Sequence, residues 1–216
     1  MIQIYKSPDS PKSLEAQNSY STQEVQRQLS KDQHKKCYLC ERILVTDFQV
    51  EHLHSQSDFP EEKSVWSNLL LACSYCNGKK GNRYNHILNP INSPVEEMIL
   101  QKVDYEKNVA IFDRVESHNS EGLEGTITLL SSIFNGIARS RSMKEESFYD
   151  YFMSQITLFT KACNSYLDSS TEQNRQLVSC FLQSDKEFLG FKYWIIRSNE
   201  RLWEAFRNEC QWYRRK

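Results

Sequence analysis

The sequence predicts an α+β chain: a compact metal-stapled module near the N-terminus, then a mainly helical C-terminal region. Three observations carry this. Two CxxC pairs, Cys37–Cys40 and Cys73–Cys76, frame β-rich runs. A break rich in proline and asparagine, "HILNPINSP", is followed by the strand-like "VDYEKNVAIFD". From residue 121 apolar residues recur three and four apart, and Phe148, Phe152, Ile156, Phe159 and Cys163 fall on one helical stripe. The expected divisions are residues 1–30, an arm and a helix; 31–92, the metal module; 93–120, a connecting strand-like segment; and 121–216, the helical region.

The elements follow in order. "MIQIYKSPDSPKS" alternates briefly and then carries two prolines among polar residues, so it reads as an extended arm. "STQEVQRQLSKDQHK" offers Ser21 or Thr22 as N-cap, with Val25 and Leu29 four apart on one face, which predicts a helix. Arg42–Thr46 and Phe48–Leu53 are two short β-rich runs meeting near Asp47, and their pattern predicts a hairpin or looped strand pair. "SQSDFPEEKSVWSN" is a polar, proline-bearing loop. The apolar run from Leu69 leads through the second CxxC into a polar segment able to start a helix. Beyond the long stripe, "STEQNRQLVSCFLQ" opens on an N-cap cluster, and the aromatic-rich "FKYWIIRSNERLWEAFRNECQWYRRK" supplies at least one more helix.

Composition bounds the function classes. With 216 residues, 39% hydrophobic and 25% charged, the chain reads as an ordinary soluble globular protein. "NLLLAC" and runs like it are far too short to cross a bilayer, and the N-terminus lacks a signal-peptide pattern. A cytoplasmic location without membrane contact is the resulting expectation. Seven cysteines in such a setting point to metal or redox chemistry rather than structural disulfides. A net charge of −1 gives no global basic field, though a local basic patch remains compatible with nucleic acid.

Each CxxC places two thiolates on one tetrahedral ion, and four soft thiolates suit zinc without redox demand. Iron in a rubredoxin-like site is the chemical rival; a thioredoxin-type pair would make the second CxxC a coincidence. The residues between the pairs, 41–72, leave room for a hairpin and a loop. Cys163, Cys180 and Cys210 sit among apolar neighbours and are expected to be buried, inert thiols.

Between the pairs lies "VEHLH". In a strand, His52 and His54 share one face while Glu51 and Leu53 take the other. Two solvated histidines on a surface strand would be the bland account. Closing the metal clip, however, brings Asn77 toward this strand, so a carboxylate, two imidazoles and an amide oxygen converge. Such a set suffices for metal-assisted phosphodiester hydrolysis.

The pattern "CxxC…VEHLH…WSNLLLACSYCN" followed by Lys and Gly, over residues 37 to about 83, resembles the HNH (ββα-metal, His-Me finger) endonucleases. The resemblance implies a zinc-stapled ββα module and carries roles with it. Glu51 would be the first ligand of a catalytic Mg²⁺ or Mn²⁺, His52 the general base, and Asn68 the residue that braces the loop and orients the base. Asn77 would be the last metal ligand, and His54 matches an auxiliary histidine present in some members only. Lys79, Lys80 and Arg83 follow Asn77; a solvated polar face is one reading of them, and phosphate contact the other. In the tail, aromatic residues beside Arg197, Arg201, Arg207, Arg214 and Arg215 read as core with a basic end, ahead of a second nucleic-acid surface.

A longer pattern, the "KSPxxP"-like N-terminus, "EH", "W.NLLLAC..CN..KG" and a helical tail, is similar to the PtuB-type nucleases of Septu and retron anti-phage systems. That resemblance implies a nucleic-acid substrate, DNA or RNA, and a PtuA-like ABC/SMC-type ATPase partner. In the retron setting it adds a reverse transcriptase with its RNA–DNA complex. The rivals are a non-catalytic zinc-stapled nucleic-acid or ATPase-binding module, which would need no acid–His dipeptide, and a tether with vestigial chemistry.

Overall fold

The two CxxC pairs close onto one another and organise the first half of the chain. In this computed structural model, which describes residues 1–17, 19–137 and 140–212, the order of elements is α1 (Lys12–Gln17), α2 (Gln23–Asp32), β1 (Gln49–His52), β2 (Leu69–Ala72) and α3 (Ser74–Lys80). After them come α4 (Val95–Met98), β3 (Ile99–Asp104), β4 (Val109–Arg114) and α5 (Leu123–Asn135). The chain ends in α6 (Met143–Asp168), α7 (Glu172–Phe181), α8 (Leu189–Arg197) and α9 (Glu200–Phe206). The mixed α and β architecture and the helical C-terminal region agree with the sequence.

The strand pairing differs from expectation. β1 pairs antiparallel with β2, Gln49 opposite Ala72 and His52 opposite Leu69, across the loop 53–68. Arg42–Thr46 forms no strand; its one ladder contact is an isolated bridge between Lys36 and Ile43. The cause is local. The free edge of β2 is taken at Leu71, whose N–H donates to Gln33 Oε1 and whose carbonyl accepts from Gln33 Nε2 and from the Tyr38 N–H. That edge of β2 is occupied at Leu71, and Ile43 and Val45 stay exposed.

α2 starts where predicted, with Thr22 Oγ1 accepting from the Val25 N–H and both Val25 and Leu29 fully buried. The arm is less free than its composition suggests. Met1 and Ile2 are buried, the Ile4 N–H donates to the Pro90 carbonyl, and the short helix α1, unforeseen in the sequence, follows. The segment predicted as one strand-like stretch is two strands, β3 and β4, in register from Ile99–Arg114 to Asp104–Val109.

α6 carries the predicted stripe: Phe148, Phe152, Ile156, Phe159 and Cys163 are all buried. Its start is fixed by a capping box between Ser142 and Glu145. Phe134, Phe148, Phe152, Phe188 and Phe191 form one aromatic cluster with centroids 4.5–6.5 Å apart. This core is continuous with the cysteine module: Tyr75 of α3 packs on Phe148, and its hydroxyl donates to the Ile133 carbonyl at 2.6 Å. At the junction Gly122 adopts φ +84°, and a Cβ there would lie 2.7 Å from the Ile87 carbonyl carbon, so only glycine lets α5 begin against residues 87–88.

Glu41, just after Cys40, adds a second tie. Its carboxylate accepts from the Leu189 and Gly190 N–H groups and so caps α8, whose own N-cap residue, Phe188, offers no side-chain bond. Burial opposes ionisation of Glu41, but the Met1 ammonium, Lys36 and the Gly190 N–H outweigh it and hold the carboxyl below its ordinary value. Of the three remaining cysteines, Cys163 and Cys210 are buried as predicted, whereas Cys180 is exposed. Two residues after the buried Val178 on α7, it lies on the helix's outer side. Among the described residues no helix is long and apolar enough to cross a membrane. Arg214 and Arg215 of the basic tail lie outside the described residues.

Candidate active site and zinc centre

The zinc centre is built from two turns that present thiolates. After Cys37 the chain folds back, with the Cys37 N–H donating to Arg42 O and the Glu41 N–H to Cys37 O. Glu41 itself sits at φ +62°, which closes the turn. Cys73 caps α3, its Sγ accepting from the Cys76 N–H at 3.4 Å. The four Sγ atoms of Cys37, Cys40, Cys73 and Cys76 lie within 4.8 Å of one another, all in buried residues. None forms a disulfide. Four such thiolates fit a tetrahedral ion with metal–sulfur bonds of about 2.3 Å. This is a four-cysteine zinc-binding cluster.

The cluster sets α3 across β1. Gln49 and Glu51 share one face of β1, and on α3 Asn77 and Lys80 are three residues apart. Asn77 Nδ2 donates to Gln49 Oε1 at 2.6 Å, and Lys80 Nζ pairs with Glu51 Oε1 at 2.8 Å while also donating to the His52 carbonyl at 2.8 Å. The second Glu51 oxygen accepts from the Tyr38 hydroxyl at 2.8 Å. Burial pushes the Glu51 carboxyl above its ordinary value, with Lys80 and Tyr38 opposing the shift.

This geometry corrects one expectation and qualifies another. Lys80 is 0% exposed and held by Glu51, so it is not a surface phosphate contact. Glu51, 5% exposed, has each oxygen already engaged. A second, divalent cation therefore does not fit the predicted donor set as it stands. Asn77 keeps its amide oxygen free of the Gln49 bond, but His54 gives Nδ1 to Glu62 at 2.7 Å. Among the described residues the only group of three or more His, Cys, Asp or Glu arranged to hold a metal is the four cysteines.

His52 points away from this pairing. Its Nε2 lies 2.9 Å from the Lys63 carbonyl, and Tyr20 stands edge-on to the ring with centroids 4.6 Å apart. A carbonyl only accepts, so Nε2 carries the proton and the neutral ring keeps its lone pair on Nδ1. Burial, with the charges of Lys80 and Lys63, holds the imidazole below its ordinary pKa, against the pull of the carbonyl bond. The ring is thus neutral at pH 7.

Asn68 ties the two ends of the loop together. Its Oδ1 accepts from the His54 N–H, and its Nδ2 donates to the carbonyls of His54 and Glu62, the residue before Lys63. Because Asn68 is 3% exposed, Asn68→Ala leaves buried groups unpaired, an expected loss of about 1–3 kcal/mol readable by thermal unfolding.

Lys79 pairs with Glu145 at the start of α6, and with the Ser142 N–H this holds Glu145 down to about 2. Arg83 is exposed beyond the end of α3. The sequence reading missed Tyr20, Tyr38 and the Lys63 carbonyl, all set by contacts between distant segments. It also missed Lys6, whose ammonium reaches the Trp66 and Leu69 carbonyls and lies 3.9 Å from the Trp66 ring centre. Lys80 is read from the sequence as a phosphate contact; lying three residues after Asn77, it shares that residue's helical face, which turns it to Glu51 instead.

Comparison with known proteins places this geometry. The HNH endonuclease family matches residues 37–83, from the first zinc cysteine to Arg83. No curated protein and no solved structure matches the chain. Residues 37–83 therefore form an HNH endonuclease domain built on a four-cysteine cluster.

Proposed function

We propose that the chain hydrolyses phosphodiester bonds of nucleic acid, with His52 as general base. The family match supports the reaction class. The observation that carries the residue assignment is the His52 Nε2–Lys63 carbonyl bond, which leaves Nδ1 as a neutral lone pair able to take a proton from water. That water attacks phosphorus, the bond to the 3′-oxygen breaks, and the departing 3′-oxygen takes a proton from solvent, leaving a 5′-phosphate and a 3′-hydroxyl. Asn68 holds the loop that presents the Lys63 carbonyl, and Arg83, exposed beyond α3, is placed to contact the phosphate backbone. His52 is 5% exposed, so a phosphodiester reaches it only when Tyr20 or the loop 53–68 moves aside. The test is cleavage of single- and double-stranded DNA and RNA by zinc-loaded parent protein and its His52→Ala variant. Equal rates would remove His52 from the mechanism.

A finer reading makes the protein the nuclease effector of an anti-phage system, acting with an ABC/SMC-like ATPase and, in a retron, with a reverse transcriptase. It is supported by the "KSPxxP"-like arm, the "W.NLLLAC..CN..KG" run and the helical tail. Within it, the ATPase contact falls on the helical region, where Leu158 of α6 and Leu177 of α7 expose half or nearly half of their surface. Leu158→Glu combined with Leu177→Glu should abolish co-purification with an ATPase encoded beside this gene. Undiminished capture would exclude these faces.

A further inference from the structure

HNH nucleases use divalent metals. The carboxylate predicted to hold one here already holds a cation, the ammonium of Lys80. The geometry points to competition: Lys80 and a divalent ion contend for Glu51, and the ion binds only as Lys80 withdraws. This rests on the nuclease reading of residues 37–83 and adds a resident counter-ion to it.

The contacts define what must exchange. Lys80 Nζ spans Glu51 Oε1 and the His52 carbonyl, each at 2.8 Å, with no exposed surface. Tyr38 holds the other carboxylate oxygen and donates a proton rather than a charge, so it can stay when the cation changes. Asn77, one helical turn before Lys80, is anchored through Nδ2 to Gln49 on the Glu51 face of β1, which leaves its hard amide oxygen as a donor. An ion drawing on Glu51 would meet the positive charge of Lys80 at close range unless Lys80 moved.

The arrangement has a reason in folding. A buried carboxylate without a partner is costly, so Lys80 lets the β1–α3 contact form in an ion-free chain. The consequence is an ion affinity lower than the donors alone would give.

The experiment is a calorimetric titration of zinc-loaded protein with Mn²⁺, comparing the parent with Lys80→Met, Lys80→Gln and Glu51→Gln. Lys80→Gln keeps a hydrogen-bond donor for Glu51 and the His52 carbonyl without the charge, and serves if Lys80→Met does not fold. Competition predicts that the Lys80 variants bind Mn²⁺ at least about tenfold tighter than the parent. Glu51→Gln should lose the site. Affinity that is equal or weaker in Lys80→Gln overturns the proposal, as does Mn²⁺ binding that survives Glu51→Gln. The readout is binding, so it fails separately from the nuclease reading: a His52→Ala protein that cleaves at the parent rate sinks that reading whatever the titration shows.

Discussion

His52→Ala should lower cleavage by about 10²–10⁴-fold, the usual contribution of a positioned general base. The fold should survive, because among the described residues the His52 side chain makes one hydrogen bond, to the Lys63 carbonyl, and one ring contact, to Tyr20. The strand pairing to Leu69 and the contact from Lys80 both use the His52 backbone, which alanine keeps. Zinc content should therefore equal that of the parent, and the comparison isolates the proton transfer. The pH profile supplies a second reading. The base works only as the neutral ring, and burial beside Lys80 and Lys63 lowers its pKa. The acid limb should accordingly fall below about pH 6.5, the ordinary imidazole value, with a plateau above it. A zinc-loaded His52→Ala protein that cuts as fast as the parent would refute the assignment.

The legible parts of the fold were those set by local chemistry. α6 announced itself through the Phe148–Phe152–Ile156–Phe159 stripe, all of it buried. α2 did so through Thr22 and the Val25–Leu29 pair. The partner of β1 was not legible, because two apolar runs of similar character compete for it. Leu69–Ala72 wins since Cys73, its neighbour, is carried to Cys37 and Cys40 by the metal clip. The buried amide of Gln33 then occupies both edge groups of Leu71, which no propensity scale records.

The site divides the same way. Spacing marked the four cysteines, the "VEHLH" run and Asn77, while the resemblance to HNH endonucleases added Asn68 and the roles of Glu51 and His52. What spacing could not supply was the register of α3 on β1. That register turns Lys80 inward to Glu51 and so changes the meaning of both residues. It also could not place Tyr20 on His52, a contact between segments more than thirty residues apart. The tautomer of His52 depends on a backbone carbonyl, and any residue at position 63 offers one, so the sequence carries no mark of it.

Removing the metal should have the largest effect on stability. Cys37, Cys40, Cys73 and Cys76 are at most 1% exposed, and they lie at the centre of the contacts that define the module. Between the pairs run β1, β2 and the loop 53–68, so the ion closes a segment of more than thirty residues that no disulfide secures. Without it, four thiols face one another in a buried space, and the unfolded chain regains the freedom that the clip removes. The damage should not stay local. Tyr38 links the first turn to Leu71 and Glu51, Glu41 caps α8, and Tyr75 packs α3 on Phe148. Structural zinc sites contribute on the order of 10 kcal/mol in small domains, comparable to the whole stability of an ordinary one. Cys76→Ser, or extraction of the ion by a strong chelator, should therefore lower the melting temperature sharply and give aggregated protein. The cysteine module and the parts of α5, α6 and α8 that share its core should lose structure in one transition. Elemental analysis and circular dichroism on the same sample check this. Folded protein with a parental melting curve and no bound zinc would show that the four cysteines are a packed thiol cluster and that the fold stands without a metal.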